Sequence, residues 1–280
     1  MGCSDSDYDY LRQLVHAQSA NLIDPSRNGL FEAKLKPMAR NVGASNLAEF
    51  VNILRVDQSP HLHCAVAEAM TINETSFFRD HCLFEALRET VLPQLIESNS
   101  AERKLRIWSA AASTGQEAYS VAMLLCEHFP TLTNWDVKIF GTDISRQAIE
   151  YARRGSYRRL EVNRGLPARM LVSYLKRDGE GWEVDPKLKT MCEFRYVNLC
   201  ATLPALPTFD LVLLRNVLLY FTPEDRKDVF RGVHRQMAGH GYLMLGASEQ
   251  AEDSTTLFQS EFTKQCYFYR PVAKLESPSK

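Results

Sequence analysis

Two loops in this chain carry the residue types that a nucleoside site needs. The first is Ala111-Ala112-Ser113-Thr114-Gly115-Gln116-Glu117, small side chains that allow close backbone approach, closed by a carboxylate. The second, Gly141-Thr142-Asp143-Ile144-Ser145, places an acid 28 residues beyond Gly115. An acid at the end of a parallel strand can accept both hydroxyls of a ribose. Each feature also has a plainer reading. Thr114-x-x-Glu117 is a capping-box pattern, and Asp143 with Ser145 could cap a helix. Their joint placement at adjacent strand ends favours a nucleoside ligand. The G-x-G-x-x-G fingerprint and the P-loop Gly-Lys-Ser/Thr are both missing, which argues against a dinucleotide or a triphosphate. His61-Leu62-His63-Cys64 and His81-Cys82 lack the spacing of a zinc site. We read them as structural and expect no metal.

These loops need a frame that brings strand ends together, and the hydrophobic pattern supplies one. Strands are expected at 105–111, 138–143, 195–198, 211–216 and 241–247, with helices at 114–129, 145–154 and 223–237. Strand-helix alternation of this length implies a parallel sheet covered on both faces. Segments 262–264 and 266–270 have no helix between them and read as an antiparallel hairpin at one sheet edge. Residues 171–197 do not fit the alternation. With turn chemistry at Asp178-Gly179, they read as a small antiparallel excursion. Ahead of residue 70, apolar residues fall at helical spacing in three runs, around Leu11, Phe31 and Phe50. The expected organisation is a helical domain over 1–69, an α/β domain over 70–271 with the insertion at 171–197, and a polar tail over 272–280.

Composition agrees with a folded enzyme-sized chain. Of 280 residues, 45% are hydrophobic and 24% charged, enough for a large core and too apolar for wholesale disorder. Net charge is −1, so no global nucleic-acid footprint exists. No apolar run spans a bilayer and no leader-like segment opens the chain. Seven cysteines, an odd number without a C-x-x-C pair, read as reduced thiols. The expected location is the cytoplasm. Met1-Gly2-Cys3-Ser4-Asp5-Ser6 matches an acylation pattern, which we read as a chance match.

A nucleoside cofactor without a pyrophosphate points to S-adenosylmethionine. The chain also resembles a known family. Thr71-Ile72-Asn73-Glu74-Thr75-Ser76-Phe77-Phe78-Arg79 is similar to the T-x-N-x-T-x-F-F-R signature of the chemotaxis receptor glutamate methyltransferases, the CheR family. Residues 108–120, 141–145 and 215–221 resemble its nucleotide loop, acidic loop and fourth-strand motif, in that order. One departure is Gln116, where many members carry a second glutamate. The resemblance implies a Rossmann-like class I S-adenosylmethionine-dependent methyltransferase sheet, with a small antiparallel β insertion and an N-terminal all-α domain. It implies that Glu117 binds the cofactor's amino group and Asp143 its ribose. Asn73 and Thr75 would close over the cofactor. Asn198, Leu199, Leu214, Arg215 and Asn216 would flank it. Arg79, also a cofactor contact, and Tyr220 would sit near the transferring methyl as the catalytic pair.

The implied reaction converts glutamate side chains of chemoreceptors to methyl esters and releases S-adenosylhomocysteine. The partners implied are the receptors' cytoplasmic methylation helices, met by a monomer without membrane insertion and without nucleic acid. Two other functions compete with this one. A nucleic-acid N-methyltransferase is disfavoured because the Asn/Asp-Pro-Pro-Tyr/Phe motif is missing after the fourth strand. A non-catalytic cofactor sensor is disfavoured by the presence of both Arg79 and Tyr220. Between Arg146 and Arg169 seven arginines face two acids, a local surplus of five positive charges that reads as either a solvated face or a docking rim. The short turn at 177–181 leads us to expect no dependence on a receptor's C-terminal pentapeptide tether.

Overall fold

Ser4 starts the first helix with a reciprocal cap: its hydroxyl accepts from the Asp7 amide at 3.3 Å, and its own amide donates to Asp7 Oδ2 at 3.0 Å. The computed structural model describes residues 3–57, 59–251 and 254–272. Gly2 of the acylation-like opening and tail residues 273–280 lie outside the described residues. The chain divides into two units, residues 1–72 with 220–226, and residues 73–219 with 227–280.

The first unit contains α1 (Asp5–Ser19), α2 (Asn28–Asn41), α3 (Leu47–Val56) and α4 (Pro60–Met70). The three helical runs expected from sequence are α1 to α3. The fourth helix opens on Pro60, whose fixed φ suits a first helical turn. Leu11, Val15, Phe31, Leu35, Phe50 and Val66 share one core. The His/Cys cluster lies on α4 and has ordinary partners. His63 Nε2 bonds with the Leu54 carbonyl at 3.0 Å, and Cys64 Sγ donates to Gln18 Oε1 at 3.3 Å. Segment 220–226 belongs to this unit through the Leu22 amide donating to the Tyr220 carbonyl at 2.8 Å, and through His16 and Asp225 at 3.0 Å.

In the second unit, α5 (His81–Ala86) and α6 (Leu92–Ser98) precede β1 (Lys104–Ala110), α7 (Gln116–His128), β2 (Asp136–Asp143) and α8 (Arg146–Arg154). Next come β3 (Ser156–Arg158), α9 (Arg159–Val162), α10 (Ala168–Tyr174), β4 (Leu175–Asp178), β5 (Gly181–Val184), α11 (Pro186–Met191) and β6 (Cys192–Tyr196). The chain ends with β7 (Phe209–Leu214), α12 (Pro223–Arg235), β8 (Met237–Leu245), β9 (Phe258–Thr263) and β10 (Cys266–Pro271). The first turn of α12 is counted with the helical unit.

The main sheet has seven strands in the order β6-β2-β1-β7-β8-β10-β9. The five strands from β6 to β8 are parallel, and the β9–β10 hairpin closes the β8 edge antiparallel. Strand order reverses at β1, so the carboxyl ends of β1, β2 and β7 meet at a topological switch point, where open α/β sheets bind ligands. Residues 211–214 of β7 form a continuous apolar run because both faces are covered; they are 0% exposed, as are Ile107 and Trp108 at the centre of β1. The Trp108 indole is satisfied inside the core by Thr142 Oγ1 at 2.8 Å.

The insertion differs from its expected bounds. A separate three-stranded antiparallel sheet, β3-β5-β4, draws its first strand from residues 156–158, well ahead of 171. Residues 192–196, expected within the excursion, form β6 and pair in parallel with β2. The hydrophobic pattern hid this, because β3 is three residues long and carries a single apolar side chain, Tyr157, among arginines. The β4–β5 turn is a tight hairpin in which Asp178 pairs with Gly181. All seven cysteines are free. No helix among the described residues is long and apolar enough to cross a membrane.

Candidate functional site

The loop leaving β1 is held in a conformation that its residues do not favour. Ala111, Ser113 and Gly115 all have positive φ, at 63°, 51° and 94°. Two of them are not glycine, at a cost of about 1–2 kcal/mol each. At Gly115 the twist comes with crowding: a Cβ there would lie 2.8 Å from the Ala152 Cβ. The loop keeps its shape because its polar groups are tied from four directions. The Ala112 amide donates to the Thr142 carbonyl at 2.8 Å, and the Ser113 amide to Asp143 Oδ2 at 2.8 Å. Ser113 Oγ donates to the Asn73 carbonyl at 2.9 Å, and the Tyr157 hydroxyl to the Thr114 carbonyl at 2.7 Å.

Asp143 is 6% exposed and ends β2. Its Oδ1 accepts from the Ser145 amide at 2.8 Å, so each carboxylate oxygen takes one backbone amide. Helix capping falls to Ser145, whose Oγ accepts from Ala148 N. The capping-box alternative for Thr114 and Glu117 is not formed. Gly115 stands at the helix N-cap without a side-chain cap, and Thr114 Oγ1 donates to Gln116 Oε1 at 2.8 Å.

Glu117 turns instead toward the sheet. Its Oε1 accepts from Ser109 Oγ at 2.6 Å and its Oε2 from Arg215 Nη1 at 2.6 Å. The Arg215 side chain is 2% exposed. Its Nη2 reaches Asp80 Oδ2 at 2.6 Å and the Arg79 carbonyl at 2.8 Å. One cation therefore joins the end of β7, the first turn of α7 and the segment before α5. Its Nε is buried without an acceptor from the chain. A buried N–H donor of this kind suits a ligand carboxylate, which an amino-acid-bearing cofactor provides. The donor set of this loop cluster therefore fits S-adenosylmethionine.

The 73–80 segment is also strained, with Phe78 at φ 47° and Asp80 at 64° on either side of Arg79. Phe77 anchors it, buried edge-on against Tyr157 at 5.0 Å, and the Phe78 amide donates to Ser120 Oγ at 3.0 Å. Arg79 Nη1 donates to the Glu74 carbonyl at 3.1 Å. The Arg164 guanidinium, 2.7 Å from Glu74 Oε1, holds the Glu74 carboxyl below its usual range. Thr75 is half-buried on this segment. Asn198 and Leu199 follow β6, where the Val197 amide donates to the Asp143 carbonyl at 3.0 Å and Asn198 Oδ1 accepts from Cys200 N. Leu214 is fully buried, and Asn216 is left-handed at φ 59°.

The structure thus joins Asn73, Asp143 and the Val197–Asn198 turn around the β1 loop, and Glu117, Arg215 and the Arg79 backbone around β7. Tyr220 ends a short 3₁₀ turn, Leu218–Tyr220, and is counted with the helical unit. Sequence reasoning missed Ser109, Asp80 and Tyr157. Asp80 follows Arg79 directly, and an acid beside that motif was a readable signal. Tyr157 had no local signature, since it acts on Thr114, 43 residues away in the chain.

Comparison with known proteins agrees with this geometry. Residues 73–267 match the family model described as "CheR methyltransferase, SAM binding domain". The chain is 36% identical to "Chemotaxis protein methyltransferase 1" of Pseudomonas aeruginosa, covering 89% of this chain and 92% of that one. It is 34% identical to "Chemotaxis protein methyltransferase Cher2" of Pseudomonas putida, over 89% and 92%. A relative from Vibrio parahaemolyticus, "Chemotaxis protein methyltransferase", is 32% identical over 91% and 93%. A chain with this match along most of its length, and with this switch-point site, belongs to the CheR family of S-adenosylmethionine-dependent methyltransferases.

Proposed function

We propose that this methyltransferase esterifies glutamate side chains on the cytoplasmic helices of chemoreceptors. The single observation that supports it most is the Ser109–Glu117–Arg215–Asp80 network, which clamps the Arg79 backbone next to the two residues assigned to the cofactor, Glu117 and Arg215. S-adenosylmethionine, when bound, supplies an electrophilic sulfonium methyl. Glu117 would hold its amino group, Arg215 Nε its carboxylate and Asp143 its ribose, with Asn73, Thr75, Asn198, Leu199, Leu214 and Asn216 around it.

The acceptor needs no base, because a glutamate side chain is ionised at neutral pH. What the protein must provide is orientation and removal of water. Arg79 is suited to position the incoming anion through its guanidinium, with its backbone clamped by Arg215. Tyr220 is assigned to the reacting end by resemblance. One C–O bond forms as the C–S bond breaks, and no proton moves.

Docking involves the arginine-rich stretch in a reduced form. Arg153, Arg158, Arg164 and Arg169 already pair with Glu150, Glu161, Glu74 and Glu127. Glu74 and Glu127, from outside the stretch, reduce its local surplus of positive charge. The rim is therefore a weaker steering surface than its sequence suggests, and exposed pairs of this kind are easily exchanged for a partner's acids. The tight β4–β5 hairpin supports recognition without a pentapeptide tether. Incubation with methyl-labelled S-adenosylmethionine and receptor cytoplasmic fragments tests the proposal. Base-labile label on the fragments supports the ester. Label that survives base, or that appears on RNA instead, overturns it.

A further inference from the structure

We propose that Glu249 is a positioning residue for cofactor binding, acting through the turn that carries Arg215 and Asn216. The proposal rests on the reading that those two residues flank S-adenosylmethionine. Glu249 sits beyond β8, where its amide donates to the Gly246 carbonyl at 2.9 Å and turns the chain back. Its side chain then reaches across to the end of β7. Oε2 accepts from the Asn216 amide at 2.5 Å and the Gly246 amide at 2.9 Å. Oε1 accepts from the Val217 and Leu218 amides at 2.9 and 2.8 Å. Four backbone donors converge on one carboxylate that is 7% exposed.

Three of those donors are consecutive, residues 216–218. A strand that ends leaves such amides pointing nowhere, and buried amides without acceptors are costly. Here a single anion takes all three and so dictates the path of the chain just after Arg215. Asn216 is held at φ 59°, in the left-handed region. The fit is close on every side: a Cβ on Gly246 would lie 2.6 Å from Glu249 Oε2 and 2.7 Å from Asn216 Nδ2. Arg215 precedes this turn directly, and its two nitrogens span Glu117 and the Arg79 carbonyl with little latitude at 2.6 and 2.8 Å. A shift of the 216–218 turn moves the guanidinium off both.

Glu249→Gln is the decisive variant, because it preserves volume while setting an amide donor against backbone donors. Calorimetric titration with S-adenosylhomocysteine should show affinity weakened by about tenfold or more. Steady-state assays should show a raised KM for S-adenosylmethionine with a smaller change in kcat. Gly246→Ala, which crowds the same carboxylate from the other side, should weaken binding in the same direction. Hydrogen exchange on the unmodified protein needs no variant: the amides of 216–218 should be protected, and more so with ligand. Affinity of a folded Glu249→Gln within about twofold of wild type overturns the proposal, even if its melting temperature falls. Rapid exchange at 216–218 overturns it as well. Wild-type protein that fails to bind S-adenosylhomocysteine at all would instead remove the reading of the site on which this one rests.

Discussion

Arg215→Met tests whether one buried cation organises the site. The substitution keeps a long apolar side chain and deletes the guanidinium. It breaks the 2.6 Å contacts to Glu117 and Asp80 and the 2.8 Å contact to the Arg79 carbonyl. Asp80 is one-third exposed and can turn to water, so its loss is small. Glu117 is 12% exposed and keeps only Ser109, so it is left as a buried carboxylate without a counter-charge. Removing one partner of a buried pair costs about 3–5 kcal/mol, and the partial exposure of Glu117 places this site near 3. For a chain of this size that corresponds to a fall of roughly 6–12 °C in melting temperature. Chemical denaturation of Arg215→Met, Glu117→Gln and the double variant gives the coupling directly. The double variant should recover about half or more of the Arg215→Met loss, because it no longer strands a charge. A single-variant cost below about 1 kcal/mol, or strict additivity in the cycle, would refute the idea that Arg215 neutralises Glu117.

Asp143→Ala should weaken S-adenosylmethionine binding by about 1–3 kcal/mol in calorimetry, since it deletes a carboxylate that both orders the β1 loop and is assigned to ribose; unchanged affinity would take Asp143 out of the site. Arg79→Ala should lower the methyl-transfer rate more than cofactor affinity, and equal losses would make Arg79 chiefly a cofactor ligand. Rates on receptor fragments should fall as salt rises from low ionic strength, modestly because four arginines of the rim are already paired; a flat response would remove steering. Alkaline stability follows from tyrosines. Burial raises the Tyr119 and Tyr157 hydroxyls well above their usual range and Tyr151 to about 12. Their stabilising contribution is intact below about pH 10, where unfolded tyrosine begins to ionise, and is lost as pH climbs toward the folded values. Unfolding followed by tyrosinate absorbance should therefore set in above about pH 10 and carry cofactor binding with it, because Tyr157 holds Thr114. Full stability at high pH with tyrosinate already formed would contradict the burial argument.

How much of this was legible in the sequence depends on the range over which each residue acts. The parallel strands were readable because apolar segments such as Leu211–Leu214, and Leu105–Trp108 broken only by Arg106, are bounded by loop chemistry, and a buried strand writes its own signature. The expected strand ends differ from the observed ones by a few residues, as where β8 starts at Met237 rather than at 241. The three-residue β3 was not readable, because a strand so short is defined by its partner β5 and not by a pattern of its own. The same logic separates the site residues. Asp143 and Glu117 stood out by type and position at strand ends, but their partners did not.

The assignment of Arg215 shows the limit most directly. In sequence it was one flank of a cofactor site. In the structure it is a buried hub whose contacts lie 98 residues away at Glu117 and 135 away at Asp80. A charged residue in a motif is readable as polar and exposed or as polar and functional, and burial at 2% is invisible until the fold is known. Glu249 is further still from any readable signal, because its four partners are backbone amides and backbone amides carry no sequence identity. The cofactor-side residues of this family are thus the visible part of the site. The residues that hold them in place are chosen by which amides the strand ends leave without acceptors.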